Sequence, residues 1–196
     1  MNKVKYLLTY RYAEIIQDLT VEFSRIYTLS SLSNLSDLNS GQRRPDYRTA
    51  DQMNQAARSG KQNIVEAVGQ SQTSEKGQIK LLGVAKASFE ELLSDYEDFL
   101  RQNKFKIFPL DSPFVSNFRK IAYKLSNLSN LSDLGEFKLK PKLTNKPESD
   151  ANFLLTLCHQ ETFLLNKQIN ATEEKFVKEG GFNEKLYNKR RNFRGF

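Results

Sequence analysis

Between positions 4 and 27 the apolar side chains Leu8, Tyr12, Ile15, Leu19, Phe23 and Ile26 recur at steps of four, three, four, four and three residues. That is the spacing of one buried stripe, so the pattern predicts a core-facing helix over about 4–29. From 49 to 71 the pattern changes in kind. At 100° per residue, Met53, Ala56, Ala57, Gly60, Ile64, Ala67 and Val68 fall within about 120° of one another, which gives the second helix a face of mostly small residues. Thr73 or Ser74 can cap a third helix over about 74–103, with Leu82, Ala85, Phe89, Leu92, Leu93, Tyr96 and Leu100 as its stripe. Lys86 with Glu90 and Glu97 with Arg101 stand four apart on its surface. After Pro109 and Pro113, "VSNFRKIAYKL" reads as a shorter helix. Ser149 or Asp150 then starts a long helix over about 150–179, closed by Gly180 and Gly181. The four long helices predict an all-α chain folded as an antiparallel up-down four-helix bundle.

The heptapeptide "LSNLSDL" occurs twice, at 32–38 and at 128–134, inside tracts whose leucines recur every third residue. On a helix such leucines drift about 60° per step and cover no single face, so a packed element has no use for them. Both tracts are read as loop insertions, over about 29–46 and 125–148, in a bundle domain spanning 1–180. Residues 181–196 remain as a basic tail.

Charge adds a partner class. The 196 residues carry 30 Lys and Arg against 23 Asp and Glu, a net +7 with a pI near 9.4. Positions 105–196 hold 16 positive and 10 negative side chains, +6 of that total. A field of this sign favours a polyanion. Tyr10, Arg11 and Glu14 interrupt any signal-type apolar run, no segment approaches the roughly 18 apolar residues of a membrane helix, and Cys158 is the one cysteine. A cytoplasmic protein without a membrane partner is expected.

No motif points to catalysis. "SGKQN" contains Gly60 and Lys61, but a phosphate-binding loop requires glycine five residues earlier and Ser or Thr after the lysine, where this chain has Gln55 and Gln62. A carboxylate-bridged metal bundle requires paired Glu-x-x-His motifs, and the single histidine, His159, follows Thr156 at that spacing. The acids Glu90, Glu91, Asp95, Glu97 and Asp98 spread around the third helix as a solvated surface does. Cys158 and His159 are adjacent and point about 100° apart on a helix, so they cannot pair as nucleophile and base. Cys158 is read as a buried thiol, and no catalytic residue, metal or cofactor is expected.

Two stretches combine charge with order. In "DQMNQAARSGKQNIVEA", Gln52, Ser59, Asn63, Glu66 and Gln70 run down one flank of the small-residue face around Gly60, a column suited to fixing helix register at a seam. Arg58 and Lys61 project from the other side and could instead contact a ligand. In "EKLYNKRRNFRGF", Lys185, Lys189, Arg190, Arg191 and Arg194 follow without an acid after Glu184, interleaved with Tyr187, Phe193 and Phe196. That composition suits either a nucleic-acid backbone with unpaired bases or a solubilising tail that frays. Arg119, Lys120 and Lys124 form a further basic set. Lys138, Lys140, Lys142 and Lys146, with Pro141 and Pro147, read as a flexible connector.

The segments "DQMNQAARSGKQNIVEA" and "GQIKLLGVAKASFEELLSDYEDFLRQ" resemble, in that order, the bacterial four-helix bundle family of proteins encoded in intervening sequences of 23S ribosomal RNA genes. The accessory variability protein of diversity-generating retroelements belongs to the same superfamily. The Gln-Ala-Ala-Arg-Ser and Asn-Ile-x-Glu elements carry the resemblance, with Ala67 where the family usually has glycine. It covers the first three helices well, the fourth weakly, and neither the repeats nor the tail. The resemblance implies an antiparallel four-helix bundle, often a homopentamer, with no known catalysis. In the retroelement branch it implies binding to nucleic acid, RNA or DNA, and to a reverse transcriptase. It places Arg58, Ser59, Asn63 and Glu66 in the seam. Two functions are therefore expected to compete: a basic nucleic-acid-binding accessory protein, and a protein-interaction scaffold without a nucleic-acid role.

Overall fold

A computed structural model describes residues 3–29, 45–126 and 142–195, and among them every regular element is helical. Both "LSNLSDL" repeats and most of the expected loops over 29–46 and 125–148 lie outside these residues, and at the described edges 125–126 and 147–148 are helical. A short 3-10 turn, Lys3–Tyr6, leads into α1 (Leu8–Phe23), which widens into a π-type turn over Ser24–Leu29. α2 (Tyr47–Gln70), α3 (Glu75–Gln102), α4 (Pro113–Ser126), α5 (Pro147–Glu179) and α6 (Phe182–Arg194) follow.

The caps explain the boundaries. α2 begins two residues before the periodic pattern because Asp46 accepts the Thr49 N–H at 3.0 Å and its hydroxyl at 2.7 Å. Those two bonds also hold the Asp46 carboxyl below its ordinary pKa. α3 is capped by Ser74, whose hydroxyl accepts the Gly77 N–H at 3.0 Å. α5 starts at Pro147, ahead of the expected Ser149 or Asp150, since proline is pre-set for a first helical turn and needs no N–H partner there. Asp150 is buried instead, and it ties three segments together. Its carboxylate accepts Tyr27 Oη at 2.7 Å, Thr144 N–H at 2.9 Å and Thr144 Oγ1 at 2.7 Å. Two residues on, Asn152 accepts the Phe108 N–H at 2.7 Å and donates to the Lys106 carbonyl at 2.9 Å, which fastens the α3–α4 connection to α5.

α1 packs against α2 and α5, α3 packs against the same two helices, and α4 lies on α5 with a smaller contact to α1. The core they enclose contains Ile16, Leu19, Phe23, Met53, Ile64, Phe89, Leu92, Tyr96, Leu154 and Leu157, all essentially without solvent contact. Every expected stripe residue of α3 is buried except Leu93, which is half-buried. Leu8 departs from the α1 stripe and is 43% exposed at the first position of its helix. Phe23 meets Tyr96 edge-on with centroids 5.2 Å apart, and the Tyr96 hydroxyl finds Thr20 Oγ1 at 2.9 Å, which satisfies the one polar atom of a fully buried ring. On the surface, Lys86 pairs with Glu90 at 3.3 Å as the spacing implies. Arg101 turns to Asp98 at 2.7 Å, three residues back, where Glu97 was expected.

Candidate nucleic-acid interface

The seam with α3 decides which side of α2 is free. Gly60 is buried against α3, and a Cβ built on it would stand 2.5 Å from the Phe89 ring, closer than carbon atoms approach. Beside it, Ser59 Oγ and Ser88 Oγ are 3.0 Å apart across the helix pair. Asn63 stays within its own helix, donating to the Ser59 carbonyl at 2.9 Å. Glu66, Gln52 and Gln70 are exposed, so the polar column at the seam is shorter than the sequence suggests. Glu66 lies about 120° around the helix from Gly60, past the edge of the contact. Arg58 is exposed and Lys61 half-buried on the opposite flank.

The ten basic residues singled out by sequence do not form one surface. Arg58 and Lys61 sit midway along α2. Arg119, Lys120 and Lys124 are exposed on α4, which is seated near the start of α5 through Phe118 and Phe153, centroids 5.2 Å apart. Lys185, Lys189, Arg190, Arg191 and Arg194 follow the far end of α5. At 1.5 Å per residue, the attachment points of α4 and α6 are about 40 Å apart along that helix.

The basic tail expected over 181–196 is helical from Phe182 to Arg194. Gly180, at φ +70°, turns the chain through a region that side chains avoid, and Gly181 restarts it. Two carboxylates then serve the orphan N–H groups of α6. Glu184 accepts the Gly181 N–H at 2.8 Å, and Glu75, from the first turn of α3, accepts the Phe182 N–H at 2.8 Å. Its own backbone N–H and that of Phe182 hold the Glu75 carboxyl below the ordinary range. Lys185 is drawn into the same joint, 3.5 Å from Glu75 and 3.5 Å from Glu179, and so orients α6 instead of standing ready for a ligand. The sequence signal for this helix was a glycine followed three residues later by Glu184, a capping pattern.

No residue of α6 is buried. On its wheel Tyr187, Arg190, Arg191 and Arg194 share an arc of about 100°, with Tyr187 66% exposed. Phe182, Leu186 and Phe193 occupy a second arc of about 40°, centred roughly 120° away, and Phe193 is 93% exposed. α4 carries a smaller version, with Arg119, Lys120, Tyr123 and Lys124 within about 140°.

No protein-family model, curated protein or solved structure matches the chain. Its chemistry is therefore read from its own side chains. Among the described residues no group of three or more His, Cys, Asp or Glu gathers as metal ligands would, and no helix is long and apolar enough to cross a membrane. Cys158 is fully buried, and burial pushes its thiol well above the ordinary value, while His159 is exposed. Two carboxylates escaped sequence reasoning. Asp95, expected on the solvated surface of α3, is half-buried with Oδ2 unpartnered among the described residues, and burial pushes its pKa up to about 6. Glu161 lies in the core with no solvent contact, neither carboxyl oxygen has a hydrogen-bond partner among the described residues, and burial drives its pKa far up.

Proposed function

We propose that the chain is a non-enzymatic, cytoplasmic nucleic-acid-binding accessory protein, in which α1, α2, α3 and α5 form an antiparallel up-down bundle that carries α6 as a phosphate-binding arm. The bundle reading is supported by two contacts that run in opposite chain order, Thr9 near the start of α1 with Gln168 in the second half of α5 at 2.8 Å, and Tyr27 in the turn after α1 with Asp150 in the first turn of α5 at 2.7 Å. The functional reading rests on α6, a helix with no buried residue that carries five basic side chains and no acid after Glu184. A helix that contributes nothing to the core while concentrating cations is suited to a polyanion. The resemblance set out above extends the proposal to a homo-oligomer, a pentamer, and to a reverse transcriptase as protein partner. A protein-interaction scaffold is the second reading, favoured by Phe114, 61% exposed on α4.

Fluorescence anisotropy with a labelled structured RNA tests the first reading. Affinity should fall steeply with salt, with a slope of log affinity against log salt of about 3 to 4 for the four cations of α6 not held by Glu75, at roughly 0.7 to 0.9 per phosphate. No binding at low salt overturns it. Salt-insensitive co-purification with a protein, and none with RNA, selects the scaffold.

A further inference from the structure

We propose that the face of α6 formed by Tyr187, Arg190, Arg191 and Arg194 is a single-strand site, in which the Tyr187 ring stacks on an unpaired base while the guanidinium groups hold the flanking phosphates. This rests on the nucleic-acid reading above and narrows it to one class of ligand. The three arginines follow Tyr187 by three, four and seven residues, the spacings that bring helix side chains onto one face, so they continue that face from the ring toward the C-terminus of the helix. The ring is two-thirds exposed and packs on no other aromatic ring among the described residues. In a duplex the base faces are already covered by their neighbours, so an exposed ring gains nothing from them. An unpaired base offers a free face, and planar guanidinium groups suit both phosphate oxygens and base planes.

A lipid surface would take a different part of the helix. The apolar arc of Phe182, Leu186 and Phe193 lies about 120° from Tyr187, and Lys189 falls about 20° from Phe182, at the rim of that arc. Arg190 stands between the two faces, about 60° from Tyr187 and about 40° from Leu186, but Arg191 and Arg194 lie within about 40° of Tyr187 and away from the apolar arc, which favours the nucleotide.

The test uses the full chain with a labelled 20-nucleotide oligo-dT, a 20-base-pair DNA duplex, and vesicles containing phosphatidylserine. Tyr187→Ala should weaken oligo-dT binding about 5- to 150-fold with little change of salt slope, and should leave duplex binding within about twofold. Tyr187→Phe should retain the wild-type affinity. Arg190→Gln with Arg191→Gln and Arg194→Gln should weaken both nucleic acids and flatten the oligo-dT slope by about 2. Equal losses on single strand and duplex, or none on the single strand, would overturn the stacking site and leave the nucleic-acid reading standing. Failure of both oligonucleotides to bind at low salt would overturn the single-strand site, and failure of the structured RNA as well would remove both proposals. Vesicle binding lost in Phe193→Ala, without any oligonucleotide binding, would assign α6 to membranes instead. Circular dichroism of each variant checks that α6 stays helical.

Discussion

The α2–α3 seam and α6 each place apolar side chains at helical spacing, and they use them in opposite ways. At the seam, small residues let two helices close until a single hydrogen atom at Gly60 separates the backbone from Phe89. In α6 the apolar residues Leu186, Tyr187 and Phe193 remain in solvent, and the helix is held at its N-terminus by Glu184 and Glu75. The first region is specified by volume, the second by charge and caps. A change of size should therefore be costly in one and cheap in the other, and a change of charge the reverse.

The largest stability effect is expected from Gly60→Leu. The new side chain must displace the buried Phe89 ring, at a cost of about 1 to 3 kcal/mol or more, whereas Lys61→Leu on the neighbouring flank should stay within about 0.5 kcal/mol. At roughly 2 to 4 °C per kcal/mol for a chain of this size, thermal denaturation separates the two. Equal melting temperatures would break the claim that this face is the contact.

Glu161 sharpens the same contrast from inside the core. Its folded-state pKa is raised above the ordinary 4.5 by burial, so its contribution is fully favourable below about pH 4.5 and is lost as pH rises toward the folded value. Replacing Glu161 with Leu should stabilise the protein at pH 7 by about 1 to 3 kcal/mol, and the gain should shrink as pH approaches 4. Urea titrations at both pH values measure it. A loss of stability at pH 7, or a gain independent of pH, would mean that the carboxyl has a partner in solution.

Glu75 links the two regions, and its removal should have the smallest effect. Glu75→Gln keeps the shape but weakens the acceptor for Phe182 N–H and leaves Lys185 with Glu179 as its remaining carboxylate, so the melting temperature should move by no more than about 2 °C. Hydrogen exchange at the α6 amides should speed up, and nucleic-acid affinity should stay within about twofold. Unchanged exchange would show that Glu184 alone holds the helix.

Much of the interior was legible from periodicity. The buried face of α2 and the stripe of α3 were read almost residue by residue, because a 3.6-residue repeat over 24 and 28 residues leaves few alternatives. Asp150 and Asn152 were not. They serve backbone groups near positions 106, 108 and 144 that only the fold brings beside them. Glu161 escaped because a glutamate between polar neighbours on a helix reads as surface unless the facing helices are known. α6 reads as a tail in the sequence because its basic, weakly apolar composition gives no core stripe, and Glu75, which bonds its first N–H, lies 107 residues away.

The central claim, that α6 binds nucleic acid and the bundle stands without it, is tested most directly by ending the chain at Gly180. The truncated protein should keep its helicity up to α5 and melt within about 2 °C of the full chain, since no α6 residue is buried. Its affinity for labelled oligo-dT at low salt should fall at least tenfold, and the slope of log affinity against log salt should become shallower by about 3 units. Unchanged affinity and slope in a folded truncation would contradict the claim and move the binding surface to Arg119, Lys120 and Lys124 on α4, with Arg58 on α2.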